Sequence, residues 1–333
     1  MGFKAQDYPL ATHNTFGMEV KADLFFEYDS VEELREALPS LERPLLNIGE
    51  GSNLLFTGDF HGTVLHCAIK GAAVVDSDED TALVCAGAGL KWDSFVEWCI
   101  GQGLFGAENL SGIPGEAGAA AVQNIGAYGA EVCELIAEVS TVDSESGEIR
   151  VFNADECGYA YRDSIFKRPE NKRYIITSVV FRLSRKWVPN LKYKALAQAF
   201  EGRGPSAAEI REAVLAMRDS KLPDPKILGN AGSFFVNPVV RQEKADLLTF
   251  LYPDMPRYAA GDGLVKLSAA WLIEKSGWKG QSIGRAGVYE KQPLVLVNLG
   301  GATGTEILNL ANTVINDVYD KFGVELSMEV NSI

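Results

Sequence analysis

Between Ser111 and Gly129 five residues are Gly and five are Ala, and no other stretch constrains this chain as much. Such a run costs folding free energy, because Gly loses more backbone freedom than any other residue and Ala brings little apolar area to a core. A backbone so bare is suited to lying against something. Ile113-Pro114-Gly115 opens the stretch and Gln123-Asn124-Ile125-Gly126-Ala127-Tyr128-Gly129 closes it. Turns of this kind can aim several N–H groups at phosphate oxygens, and a flat ring can lie where no side chain intrudes. A dinucleotide presents both shapes.

The rest of the composition narrows the ligand. The chain carries 31 basic and 45 acidic side chains, a formal net charge of −14. That surface repels polyphosphate backbones, so nucleic acid is not an expected partner, and an anionic ligand needs a local basic pocket. No apolar run approaches a membrane span, and Met1-Gly2-Phe3-Lys4 leads into no signal-peptide core; a cytoplasmic enzyme with no membrane partner is expected. Cys67, Cys85, Cys99, Cys133 and Cys157 form no C-x-x-C pair, which fits reduced thiols. His13, His61 and His66 match no zinc spacing, so no metal is expected, and His61 and His66 read as ordinary surface or turn histidines.

At 333 residues, two or three domains are expected. Ser30 and Glu33 predict a capped helix to about Leu38, followed by a strand Leu45–Ile48, the loop Gly49-Glu50-Gly51-Ser52-Asn53, and a second strand Leu54-Leu55-Phe56. Trp92, Phe95, Val96 and Cys99 recur at helical spacing, so a helix ends near Gly101. Strands 139–142 and 148–152 flank a hairpin turn, and 174–183 is a long β-branched strand. Ser206 and Glu209 cap a helix that stops before Lys221-Leu222-Pro223-Asp224-Pro225-Lys226, whose prolines mark a domain boundary. Beyond it come a helix over 267–276, a strand over 294–299, and a helix with Ile307, Leu310, Ala311, Val314 and Val318 on one face. Strands and helices intersperse without strict alternation, which favours α+β over a doubly wound sheet.

Several motifs carry chemistry, each beside a plainer reading. Gly101, Gly103 and Gly106 spell G-x-G-x-x-G, but they follow a helix and lack the acidic residue expected about 20 positions on, so a helix end and turn is favoured over a dinucleotide fingerprint. Gly49 to Asn53, between two apolar strands, reads as a pyrophosphate nest or a tight turn. With Ser111 to Gly129 it suggests two loops gripping one extended ligand. In Tyr159-Ala160-Tyr161-Arg162-Asp163 the guanidinium suits a carboxylate held bidentately, or forms a surface pair with Asp163. Ser233, in Asn230-Ala231-Gly232-Ser233-Phe234-Phe235-Val236-Asn237, has no neighbouring base and is no acyl-enzyme nucleophile; it protonates a basic carbanion or simply forms a turn. A carboxylate such as Glu329 would ordinarily be solvated.

Taken in order from Asn14-Thr15-Phe16-Gly17 through the Gly49, Gly115, Arg162 and Ser233 motifs to Glu329, the chain resembles the UDP-N-acetylenolpyruvoylglucosamine reductases. These are the flavoenzymes of peptidoglycan precursor synthesis also called UDP-N-acetylmuramate dehydrogenases. Leu191-Lys192-Tyr193 resembles the form with an extra tyrosine loop. The resemblance implies an α+β, FAD-binding fold of the vanillyl-alcohol-oxidase/CO-dehydrogenase-flavoprotein (PCMH) type, with two FAD-binding subdomains (1–70 and 71–222) and a substrate domain (223–333). It implies non-covalent FAD, NADPH as hydride donor and a UDP-sugar substrate whose enolpyruvyl ether is reduced. The protein is expected to be a monomer. Ser233 is then the proton donor, with Arg162 and Glu329 beside the substrate carboxylate. The cofactor is held by Gly49, Glu50, Gly51, Ser52, Asn53 and Leu54 in the first loop, and by Ile113, Pro114, Gly115, Gly118, Gln123, Asn124, Gly126, Ala127 and Tyr128 in the second, with Arg218 nearby. Tyr193, Lys221, Asn237, Tyr258 and Lys266 line the nucleotide and diphosphate region. Val236 departs from a longer polar side chain frequent in relatives, and Met328 from a proline. The alternative is another flavin oxidase or dehydrogenase of this scaffold acting on a hydroxy acid or alcohol.

Overall fold

The computed structural model describes residues 2–333, and the chain divides into two compact units. The first comprises the residues up to Tyr8, Ala22–Glu50 and His61–Ser220; the second comprises Pro9–Lys21, Gly51–Phe60 and Lys221–Ile333.

Besides a two-stranded sheet, Gly126–Ala127 with Ala130–Glu131, the first unit contains two larger sheets. One runs in the order Phe3–Pro9, Lys21–Tyr28, Phe60–Cys67, Leu45–Ile48, its last two strands parallel with Leu45 opposite Thr63. The other is antiparallel, in the order Ile149–Asn153, Ile136–Asp143, Tyr174–Ser184, Thr81–Gly87, Ala72–Ser77. The hairpin and the long strand expected from the sequence both lie in this sheet.

Five helices belong here: α1 (Val31–Ala37), α2 (Trp92–Gly101), α3 (Ala117–Gln123), α4 (Lys194–Ala199) and α5 (Ala207–Lys221). The Ser30 hydroxyl caps α1 by accepting from Glu33 N–H, whereas the Glu33 carboxylate accepts from Asp29 N–H. At α5 the box closes in both directions between Ser206 and Glu209. Trp92 and Phe95 of α2 bury against Phe181, with the Phe95 and Phe181 ring centroids 4.7 Å apart. A separate small core gathers Leu196, Phe200, Ile210 and Val214.

The second unit has a four-stranded antiparallel sheet, in the order Gly229–Ser233, Val295–Asn298, Ala286–Val288, Ser282–Ile283, and a three-stranded one, Val239–Arg241, Leu264–Leu267, Arg257–Ala259. Its helices are α6 (Gln242–Leu251), α7 (Ala269–Lys275) and α8 (Gly304–Phe322). The expected face of α8, Ile307 to Val318, is fully buried, and Thr303 with Glu306 and an αL Gly323 close its ends. Asn14 folds the N-T-F-G turn by donating to Leu10 O and Met18 O and accepting from Met18 N–H, and Thr15 O then accepts from Asn230 N–H.

Two differences from the sequence reading have clear causes. The apolar Leu54-Leu55-Phe56 makes only a two-residue strand, Leu54–Leu55, paired in parallel with Asn331–Ser332. The bare stretch from Ser111 contains a helix, α3, because its alanines bury as a tight-packing face.

Candidate active site

In the first unit, α3 lies close enough to the chain after Thr81–Gly87 that a Cβ on Gly118 would stand 2.8 Å from the Ala88 Cβ. Ala117 and Gly118 donate their N–H groups to Leu90 O (2.9 Å) and Ala88 O (3.0 Å), so the small residues serve packing and these two first-turn donors are already satisfied. Gly115, at φ +115°, donates instead to the Glu50 carboxylate at 3.0 Å, and the other oxygen of Glu50 meets Lys91 Nζ at 2.9 Å. Glu50 thereby ties the two glycine loops together. A Cβ on Gly49 would stand 2.9 Å from Glu116 Oε2.

Glu116 brings in a residue that the sequence reading set aside. His66 is no surface histidine: its side chain is 12% exposed, against 82% for His61, and its two ring nitrogens meet Glu27 Oε2 at 2.7 Å and buried Glu116 Oε1 at 3.1 Å. Burial works against its charged form, yet the two carboxylates prevail and raise its pKa.

The far end of the stretch is strained. Of the four non-glycine residues at positive φ among the described residues, three are Asn124, Tyr128 and Arg162. Such conformations cluster where the surroundings over-determine them, often at functional sites. Asn124 ends α3 in the αL region with no exposed surface. It donates to Ala160 O (2.8 Å) and Glu131 Oε2 (3.0 Å) and accepts from Cys133 N–H (3.1 Å). Its side chain therefore acts as a brace. Arg162, on the braced turn, donates from Nη2 to Gly126 O at 2.6 Å and from Nη1 to Asn124 O at 3.4 Å, while Lys167 Nζ donates to Arg162 O at 2.7 Å. A Cβ on Gly126 would meet the Arg162 guanidinium at 3.0 Å.

Arg218, on α5, packs its Cδ and Nε against Gly112, at 3.2 and 3.3 Å from where a Cβ would be. Burial lowers its pKa, and burial raises that of Tyr128, a rise that the Arg218 charge opposes. The Tyr193 ring stands edge-on to Tyr128, with centroids 5.1 Å apart. The formal fingerprint is excluded by its own contacts: Gly101 ends α2, and Gly106 N–H is taken by both oxygens of the buried Glu108 carboxylate, at 2.9 and 3.1 Å.

The second unit holds the other set. Ser233 ends its strand half-buried, paired with Val295. Phe234 O accepts from Glu329 N–H at 2.8 Å and Val236 N–H donates to Ser327 O at 2.9 Å, so the Ser233 and Glu329 segments run side by side through the bridge Phe235–Met328. Neither bond uses the Met328 N–H, so a methionine serves there as a proline would. Asn53 Nδ2 donates to Glu329 O at 3.2 Å, and Asn53 O accepts from Asn331 N–H at 3.1 Å; Glu329 is half-buried in this frame rather than solvated.

Gly51, at φ +66°, could carry no side chain, since a Cβ would lie 2.0 Å from His13 O. Ser52 follows it, and Leu54 pairs with Asn331. Tyr258 and Lys266 are direct cross-strand partners, which places them on one face, and Asn237 Oδ1 accepts from Ala269 N–H at 2.9 Å. Lys221 is exposed at the end of α5.

The comparisons with known proteins follow these two sets. The profile described as UDP-N-acetylenolpyruvoylglucosamine reductase, C-terminal domain, matches residues 224–333, and that of an FAD binding domain matches residues 22–153. A UDP-N-acetylenolpyruvoylglucosamine reductase of Bacteroides fragilis (strain YCH46) is 49% identical over 331 residues, covering 98% of this chain and 99% of its own. The chain belongs to this reductase family. A member from Porphyromonas gingivalis (strain ATCC 33277) is 47% identical, covering 98% of each chain. The crystal structure of the reductase from Thermus caldophilus superposes with a TM-score of 0.68 at 22% identity, covering 100% of this chain and 98% of that one, and shares its fold. The fold is α+β, with an FAD binding domain matched within the N-terminal half and the reductases' C-terminal domain matched over residues 224–333.

The first unit suits FAD on its own atoms. The Gln123 Oε1 is buried with no hydrogen-bond donor among the described residues, and a flavin ring presents an N–H. Beyond α3, Gly126 and Ala127 are partly exposed and Gly129 is exposed, and before it Ile113 and Pro114 lead into Gly115. Sequence reasoning missed His66, Glu116 and Asn109, whose partners are remote in sequence.

Proposed function

We infer that this chain is the FAD-dependent, NADPH-oxidising reductase that converts UDP-N-acetyl-3-O-(1-carboxyvinyl)-glucosamine to UDP-N-acetylmuramate, a step of peptidoglycan precursor synthesis on which cell shape and division depend. The 49% identity to a curated reductase across 98% of the chain carries this reading. A hydroxy-acid or alcohol oxidase on the same flavin scaffold is disfavoured by residues 224–333, which match the reductase C-terminal domain.

When bound, FAD carries hydride from NADPH to C3 of the enolpyruvyl ether. Hydride addition leaves an enolate-like charge on the C2 side of the substrate. Arg162, braced by Asn124 and the Gly126 carbonyl, offsets that charge, and a low-dielectric site strengthens the effect. Glu329, fixed to the Ser233 segment, donates a hydrogen bond to the substrate carboxylate when protonated. Ser233 Oγ–H delivers the proton to C2, a task that needs no neighbouring base because the acceptor itself is strongly basic.

FAD is held non-covalently by Gly49 to Leu54 and by the loop from Ile113 to Tyr128, with Arg218 packed behind Gly112. Tyr193, Lys221, Asn237, Tyr258 and Lys266 bind the UDP portion. Lys221 and Lys266 give a chain of net charge −14 the local positive field that a diphosphate requires. The two larger sheets of the first unit support its subdivision at residue 70, and the second unit's main segment, from Lys221, supports a substrate domain over 223–333. The protein acts as a cytoplasmic monomer without nucleic-acid or membrane partners; no helix among the described residues is long and apolar enough to cross a membrane.

The absorbance spectrum of the purified protein tests the reading. A flavin band should bleach anaerobically on NADPH and return only when the enolpyruvyl UDP-sugar is added. Indifference to that sugar defeats the substrate assignment, and a colourless protein that takes up no FAD defeats the cofactor assignment.

A further inference from the structure

The segment that carries Tyr193 is fastened to the flavin-binding loop through one buried amide. Asn109 sits in the turn Glu108–Leu110 with 2% of its surface exposed. Its Nδ2 donates to Tyr128 O at 2.8 Å and to Asn190 O at 2.9 Å. The bridge is returned: Asn190 Nδ2 donates to Gly129 O at 3.1 Å, and Asn190 Oδ1 accepts from Lys192 N–H at 3.2 Å. Downstream, Lys192 Cβ and Tyr193 N come within 3.1 and 3.2 Å of where a Cβ on Gly129 would stand, so only a glycine admits the segment so close. Upstream, Trp187 Nε1 donates to Pro205 O at 2.8 Å, and Leu191 packs with Tyr128 on the core of Leu196, Phe200, Ile210 and Val214.

We propose that Asn109 is a positioning residue: by clasping Asn190 to Tyr128 and Gly129, it sets where Tyr193 stands and thereby tunes affinity for the UDP-sugar, without touching the flavin chemistry. The claim about affinity rests on the functional reading above, in which Tyr193 contacts substrate. The reasoning is local. Both N–H groups of one side chain are spent on carbonyls of two segments far apart in sequence, and both segments converge on the Tyr128–Tyr193 ring contact. Removing the amide loosens one segment against the other, leaving the Asn190–Gly129 bond and the ring contact to hold them, and keeps the Asn124 and Glu50 braces in place.

Asn109→Asp keeps the size of the side chain but turns its donating end into an acceptor facing two carbonyl oxygens. In the FAD-loaded full chain, KM for the enolpyruvyl UDP-sugar should rise about ten-fold, the loss of an ordinary net hydrogen-bond contribution. The rate of flavin bleaching by NADPH, the FAD content and kcat should stay near native. Amide exchange over 188–193, measured without substrate, should accelerate by a comparable factor of about ten. Asn190→Ala should reproduce both changes, and the double variant should add little to either single one, as members of one network do.

A fall in FAD content or in the NADPH half-reaction that matches the loss of turnover would make Asn109 structural and overturn the proposal. Native KM and native exchange in both single variants would overturn it as well. A native protein that never oxidises its reduced flavin with this sugar defeats the functional reading, and with it the affinity claim; the exchange comparison then decides the clasp by itself.

Discussion

Replacing Gly126 with alanine separates the support of the arginine from the seat of the flavin. Gly126 is not at positive φ, so alanine brings no backbone strain, and the effect is one of space alone. The new Cβ would stand 3.0 Å from Arg162 Nη1, 3.0 Å from Glu131 Cγ and 3.1 Å from Ala130 O. Ala130 and Glu131 are pinned by their pairing with Ala127 and Gly126, so the guanidinium is the group that yields. It would yield at its bond to Gly126 O, 2.6 Å long and charge-assisted. Bonds of that type contribute about 1.5–3 kcal/mol, so partial to complete loss corresponds to a slowing of roughly 5- to 150-fold. Anaerobic stopped-flow reads the two half-reactions separately. Gly126→Ala should keep its flavin and bleach normally with NADPH, while reoxidation by the enolpyruvyl UDP-sugar slows within that range. Gly126→Val, with two more methyl groups in the same space, should expel FAD and yield pale protein. An alanine variant that loses flavin, yet reoxidises at the native rate per flavin retained, would show that the Cβ crowds the cofactor and not Arg162, and would refute the argument.

Ser233→Ala should leave NADPH bleaching nearly intact and slow reoxidation by the substrate; equal loss in both halves would make Ser233 structural. Asn124→Ala removes three part-buried hydrogen bonds, to Ala160 O, Glu131 and Cys133 N–H, each with a net contribution of about 0.5–1.5 kcal/mol, and holds an alanine at φ +43°, so urea unfolding should show a destabilisation of at least about 2 kcal/mol. A loss within error of zero would show that Asn124 braces nothing. His66 has a folded pKa above its unfolded value of about 6.5, so its contribution to stability is complete below that pH and is lost as pH rises through the folded value. The urea midpoint of the native protein should therefore decline more steeply than that of His66→Gln from about pH 6.5 upward. Parallel curves would show that the contacts with Glu27 and Glu116 carry no linked proton.

What the sequence made legible was local or ordered. Ser30, Ser206 and the apolar face from Ile307 announced helices through neighbours a few residues away, and the prolines at 223 and 225 marked where the second unit's main segment begins. The run of Ala and Gly had too little contrast between faces to reveal α3, whose start is fixed by carbonyls at Ala88 and Leu90. The role of His66 depends on Glu116, 50 positions away, and that of Asn109 on Asn190, 81 positions away; no spacing rule reaches so far. Arg162 stood out through its aromatic neighbours, but the turn that holds it is fixed by Asn124 and Gly126 in another segment. The side-by-side run of the Ser233 and Glu329 segments comes from the bridge Phe235–Met328, which no local pattern in the sequence announces.

The chain passes between its two units five times, because Pro9–Lys21 and Gly51–Phe60 are contributed to the second unit long before Lys221 is reached. During vectorial synthesis these early pieces must wait. Leu54 and Leu55 have no strand beside them until Asn331 and Ser332 have been made, and Thr15 cannot meet Asn230 until two thirds of the polypeptide has emerged. The second unit is thus inseparable from the ribosome's completion of the message, and residues 221–333 expressed by themselves should remain insoluble or unfolded unless peptides spanning 9–21 and 51–60 are supplied.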